Sequence, residues 1–154
     1  MSRLIGLART VLHGSAVLLF IAMVSLVLAQ VVARKFFEPL VWSEELARYL
    51  FIWVSFIGWV IATERRTHVA IGFVGERASP ATARALGAFT DAATLVLMAL
   101  LIYYGVRIVD NNRDVETVTL FFSYALVYAA VPVAALAIAA ITLARLGAQR
   151  RVAP

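Results

Sequence analysis

The sequence has 154 residues, 63% hydrophobic and 15% charged, with a formal net charge of +5 and a mean hydropathy of +0.91. Soluble domains carry about a quarter charged residues, so this composition excludes a water-soluble globular domain and fits about four membrane spans of roughly 20 residues each. With no cysteine, disulfides, thiolate metal sites and cysteine nucleophiles are excluded, and basic residues confined to loop ends set topology rather than bind nucleic acid.

The first apolar run lies between Arg9 and Arg34. It reads as a span and not a cleaved leader, because a signal-peptide core holds only about 7–15 apolar residues. The next segment is Glu38-Pro39-Leu40-Val41-Trp42-Ser43-Glu44-Glu45, with Arg48 three residues on. Proline ends the preceding structure, and Ser43 is expected to cap the following helix by accepting a backbone N–H. Glu44 and Glu45 then fall in the first turn, where the helix dipole favours negative charge. Arg48 is four residues from Glu44 and three from Glu45, so either pair can meet on one face. Trp42 suits the interfacial zone. Two readings stay open for this cluster: a well-capped start to a membrane helix, or a polar contact with a partner subunit.

The second apolar run lies between Arg48 and Glu64, with Gly58 on it where a neighbouring backbone can approach. It is short of the roughly 20 residues needed to cross, so it includes its charged ends, with Arg48 snorkelling toward the surface. The middle loop opens on Arg65, Arg66 and His68, expected to anchor a turn at the headgroups. Its few apolar residues, among them Ile71 and Phe73, predict a short surface-lying segment. Ser79 and Pro80 read as N-cap and first residue of the third helix. Asp91 follows about three turns in, expected near headgroups or paired with a basic neighbour. The loop from Asp110 to Glu116 is polar and turn-like around Asn111-Asn112. The fourth run contains Pro132, expected to kink it or mark a packing site, and Tyr124 and Tyr128, placed as an aromatic belt would place them.

The sequence therefore predicts an all-α membrane protein, a single four-helix membrane domain over 1–154. The expected spans are about 10–33, 44–63, 84–108 and 120–145. Four spans put both termini and the middle loop on one side. That side holds Arg3, Arg9, Arg65, Arg66, Arg77, Arg84, Arg145, Arg150 and Arg151; the other holds Arg34, Lys35, Arg48, Arg107 and Arg113. The excess predicts cytoplasmic termini.

Catalytic chemistry is absent from the pattern. Only His13 and His68 are present, no residues around them support haem ligation, and there is no P-loop or Gly-x-Ser-x-Gly motif. No ionisable group falls near a span midplane, which argues against an enzyme or a self-contained transport pathway. No catalytic, substrate-binding or metal residue and no cofactor is expected.

The order of features resembles the small transmembrane subunit of tripartite ATP-independent periplasmic (TRAP) transporters. The matching pieces are Arg34, the run Trp42-Ser43-Glu44-Glu45 with Arg48, Gly58, His68 after Arg65-Arg66, and Pro132. The resemblance spans about Leu12 to Leu146. It implies a non-catalytic subunit of a sodium-coupled secondary transporter that imports organic acids across a bacterial or archaeal inner membrane. Its implied partners are a large permease subunit, a periplasmic solute-binding protein and membrane lipid. On this resemblance Trp42, Ser43, Glu44, Glu45, Arg48 and Gly58 organise subunit contacts, and Arg65, Arg66 and His68 hold the cytoplasmic turn. The rival readings are a tetraspan scaffold or assembly subunit of another membrane complex, and a redox subunit binding haem or quinone.

Overall fold

The computed structural model describes residues 2–64 and 80–152. Its elements are α1 (Ser2–Phe36), α2 (Val41–Glu64), α3 (Pro80–Asn111), a short α4 (Tyr124–Tyr128) and α5 (Ala130–Val152). Four stretches are long and apolar enough to cross a membrane: Arg9–Phe36, Val41–Glu64, Ala85–Asn111 and Tyr124–Gly147, the last made of α4 and α5 together. The chain is thus a four-span helical membrane protein, as its composition predicts. The surface-lying segment, Arg65, Arg66, His68 and Ser79 fall outside the described residues.

Local chemistry sets the breaks. Pro39 separates α1 from α2, and Pro80 opens α3, where its missing N–H costs nothing. Pro132 divides the fourth span. It cannot donate to the carbonyl of Tyr128, so the helix breaks at Ala129, whose N–H still bonds Ala125 at 2.9 Å. Of the two expectations at Pro132, a kink or a packing site, the packing site is seen: its buried ring packs on Gly105 of α3, while Ala129 keeps helical dihedrals.

The helices form an open row rather than a closed bundle. Among the described helices the backbone of α1 approaches only α2, α2 continues to α5, and α5 to α3; α4 bridges α2, α3 and α5. The core lies where the middle of the row is thickest, around Val60, Met98, Ala134, Ala135 and Ile138. The alanines let α5 sit close to both neighbours, since small residues permit close helix approach in a bilayer.

Polar clamps hold α2 to its neighbours at both ends. Arg9 meets Glu64 at 2.8 Å and Arg34 meets Glu44 at 2.6 Å, so two ion pairs fasten α1 along its length. Arg145 of α5 donates at 2.8 Å to the carbonyl of Thr63. The last four carbonyls of a helix lack intrahelical partners, and a cation there also complements the dipole. Arg145→Ala is expected to destabilise this end of α2 by about 1 kcal/mol. Faster amide exchange confined to its last turn would check this.

Candidate functional site

The site assembles where α2 begins and the chain between α3 and α4 folds back. Asn112 caps α3, its Nδ2 donating to the carbonyl of Ile108 at 2.8 Å. The chain then makes a small hairpin. Glu116 and Ser123 form an antiparallel bridge, Tyr124 N–H donates to Val115 at 2.9 Å, and Thr117 N–H to Phe122 at 3.1 Å. The buried Thr117 hydroxyl lies 2.9 Å from the carbonyls of both Leu120 and Phe122 and closes the turn from inside. The tip pushes Val118 and Phe121 outward, 83% and 97% exposed.

Glu45 of α2 pins this hairpin. Its Oε1 accepts the backbone N–H of Val118 at 3.1 Å, and its Oε2 that of Thr119 at 2.7 Å. The hydroxyls of Thr119 and Tyr49 donate to the same carboxyl, and Tyr124 OH lies 3.5 Å from Oε1. Around it Tyr49 meets Phe122 and Tyr124 edge-to-face at 5.9 and 6.0 Å. Every group facing the carboxyl is a donor, the match for a carboxylate, which only accepts. A turn tip presents consecutive N–H groups with no partner of their own, and Glu45 supplies both acceptors at once. It joins residues more than 70 positions apart and fixes α2 against the α3–α4 connection.

Glu44 points the other way, to Arg34 at the end of α1. The two carboxylates at the mouth of α2 thus serve opposite neighbours. Neither meets Arg48, contrary to the pairing the spacing allowed: Arg48 is exposed and has no salt bridge or hydrogen bond among the described residues. Ser43 also departs from expectation. The helix starts at Val41, three residues earlier than expected, so the buried Ser43 is inside it, and its hydroxyl donates to the carbonyl of Leu40 at 2.6 Å instead of accepting a cap bond. Trp42 is 42% exposed at the rim. Gly58 lies on an open face, with nothing near enough to touch an added Cβ. Asp91 is half-buried and makes no ion pair among the described residues, so the pairing expected of it is not seen there.

Sequence reasoning placed Glu45 at the site but missed Tyr49, Thr117, Val118 and Thr119. The available signals were the i, i+4 spacing of Glu45 and Tyr49 and the β-branched run Thr117-Val118-Thr119 after a turn. Nothing local tells that the two segments meet.

Comparison with known proteins follows the same lines. The family described as "Tripartite ATP-independent periplasmic transporters, DctQ component" matches residues 23–151. The chain is 31% identical over 119 residues to the Sialic acid TRAP transporter permease protein SiaT of Haemophilus influenzae (strain 86-028NP), covering 77% of this chain and 19% of that one. It is 34% identical over 86 residues to the Sialic acid TRAP transporter small permease protein SiaQ of Vibrio cholerae serotype O1, covering 56% of this chain and 50% of that one. The chain thus spans about a fifth of the first relative and half of the second. With four spans, the cluster at Trp42–Arg48 and a match over most of its length, the chain belongs to the DctQ family of TRAP transporter components, which are transporter subunits and not enzymes.

Proposed function

We propose that this chain is the small permease subunit of a sodium-coupled TRAP-type importer of organic acids. It supports a large permease subunit and helps dock a periplasmic solute-binding protein. It resides in the inner membrane of a bacterium or archaeon, with both termini in the cytoplasm, as the excess of basic residues on that side favours. Sialic acid, named for both relatives, is itself an organic acid.

The observation that carries this reading is the combination of an open row of helices with spans whose central turns hold no charge. The stretches 17–28, 50–62, 92–106 and 127–144 contain no Asp, Glu, His, Lys or Arg. Pathways for ions and organic acids through a bilayer need polar or charged groups near the midplane. A helical row lacking them suits a scaffold that borders a transport subunit. The SiaT relative points the same way: a segment like this chain occupies 19% of it and is covalently joined to a much longer remainder. On this reading the Glu45 hub shapes the outer surface by presenting the Val118–Phe121 tip.

The test is purification of the tagged chain from its native membrane in mild detergent, with mass spectrometry of what accompanies it. The expected result is a stoichiometric multi-span companion resembling the remainder of the SiaT relative. Together the two should restore sodium-dependent uptake of an organic acid in vesicles when the binding protein is added. Recovery alone, or with an unrelated complex, would overturn the proposal in favour of a scaffold elsewhere.

A further inference from the structure

Beyond the Glu44–Arg34 pair, one face of α2 lies exposed among the described residues. Glu44, Arg48, Phe51, Ser55 and Gly58 are all exposed, and they recur at intervals of four, three, four and three. That spacing lines up one narrow stripe along a helix. The opposite side carries the buried Glu45, Tyr49, Val60 and Thr63. α2 is flanked by α1 on one side and α5 on the other, so the stripe faces out from the interior of the row rather than from its edge.

The stripe's chemistry is poorly matched to lipid. Arg48 stands seven residues beyond Val41, roughly 10 Å along the helix. Both nearby carboxylates are committed, Glu44 to Arg34 and Glu45 to the hairpin. A cation at that depth whose local acids are taken calls for an acid from elsewhere. One turn past the exposed ring of Phe51 come Ser55 and then Gly58, where nothing stands within 4 Å of an added Cβ. The small side chain of Ser55 and the bare backbone of Gly58 let a second helix backbone approach.

Resting on the functional reading above, we infer that the Arg48–Phe51–Ser55–Gly58 stripe is the seat of a transmembrane helix of the large permease subunit, with a carboxylate of that helix opposite Arg48. A second copy of this chain fits poorly. Two copies inserted the same way and related by a two-fold axis normal to the membrane meet at equal depth. Arg48 would then face Arg48, a like-charge contact with no acid free to relieve it. A partner bearing an acid at that level removes the mismatch, and the covalent linkage in the SiaT relative keeps a long permease chain beside a segment like this one.

The experiment places a photoreactive p-benzoylphenylalanine at position 51 and, separately, at exposed Leu97 on α3, in the full complex in its native membrane. Irradiation at position 51 is expected to yield an adduct with the multi-span companion, mapped by mass spectrometry to one of its helices; position 97 is expected to give far less. In parallel, Gly58→Leu and Arg48→Gln are expected to reduce companion recovery, the latter by about thirtyfold, as for loss of one member of a desolvated charge pair. Arg48→Lys should retain most of it. The thermal midpoint of the isolated chain should stay unchanged in all three, since Arg48 makes no hydrogen bond or ion pair among the described residues and nothing stands within 4 Å of a Cβ at Gly58. Companion recovery with adducts at position 97 and only lipid adducts at 51 would overturn this inference while leaving the functional reading intact. Adducts between two copies of this chain at position 51 would also overturn it. Absence of any companion from the purified wild type would instead overturn the functional reading.

Discussion

Glu45→Ala is expected to free the Val115–Tyr124 hairpin while leaving the four spans in place. The substitution removes the acceptor for two backbone N–H groups and for the hydroxyls of Thr119 and Tyr49 in one step. No other acceptor among the described residues serves the amides of Val118 and Thr119. Their hydrogen exchange should therefore accelerate by about tenfold or more, the scale of losing a hydrogen bond to a charged acceptor. Exchange at the core residues Met98 and Ile138 should be unaffected, because they sit in a separate cluster. Glu45→Gln separates charge from shape. Its amide keeps one acceptor oxygen but turns an NH2 toward a donor of Thr119 or Tyr49, so intermediate protection is expected. Glu45→Asp retains the charge but is one methylene too short to hold both amides. If all three variants matched wild type in exchange, the pin would not hold the hairpin in the membrane-embedded protein. The hub also links local order to the proposed role: if the tip helps dock a binding protein, Glu45→Ala should slow uptake at limiting binding protein without lowering recovery of the companion.

The second large effect is expected at Gly105. A Cβ there would lie 3.0 Å from Cδ and 3.3 Å from Cβ of Pro132. A proline ring has no rotamer by which to withdraw, so the α3 and α5 backbones must separate. For Gly105→Ala the encroachment is a few tenths of an ångström, and it is offset by about 1 kcal/mol of helix propensity gained over glycine. Near-neutral stability is expected. Gly105→Leu cannot be absorbed that way. Overpacking a tight contact costs about 1–3 kcal/mol, and here the wedge meets the buried ring of Pro132. Thermal unfolding in detergent, followed by fluorescence of Trp53 and Trp59, should show a clear drop for leucine and almost none for alanine. Equal behaviour of the two would mean that α3 and α5 are not in close contact there.

Several elements are legible in the sequence itself. Composition dictated a membrane protein, because a chain with this few charges cannot form a water-facing surface. The spacing of Arg9, Arg34, Glu64, Asp91, Arg107 and Arg145 bounded four spans, because charges are driven to the ends of helices that cross hydrocarbon. Pro39, Pro80 and Pro132 marked breaks, since a missing N–H acts locally. The cluster Trp42-Ser43-Glu44-Glu45-Arg48 was visible as a place of consequence, and with it the family.

The pairing of those charges was not legible. Helical spacing offered Arg48 to Glu44 and Glu45, pairs worth only about 0.2–0.5 kcal/mol on a helix surface. The tertiary structure provides stronger claims on both acids. Arg34 reaches Glu44 from the end of α1, and two amides at a hairpin tip claim Glu45 from more than 70 residues away. Intrahelical proximity loses to these because an unpaired backbone N–H in a half-buried turn is costlier than an exposed side chain left in its own rotamers. The row order α1–α2–α5–α3 was likewise hidden, since spans of similar hydrophobicity carry no signal for which neighbour each takes. In a bilayer that choice rests on small residues and a few polar clamps rather than on burial of apolar area. The sequence by itself therefore determined how many times the chain crosses and where its charges stop. Only the tertiary structure decided which of those charges hold the protein together and which, Arg48 among them, are left facing outward.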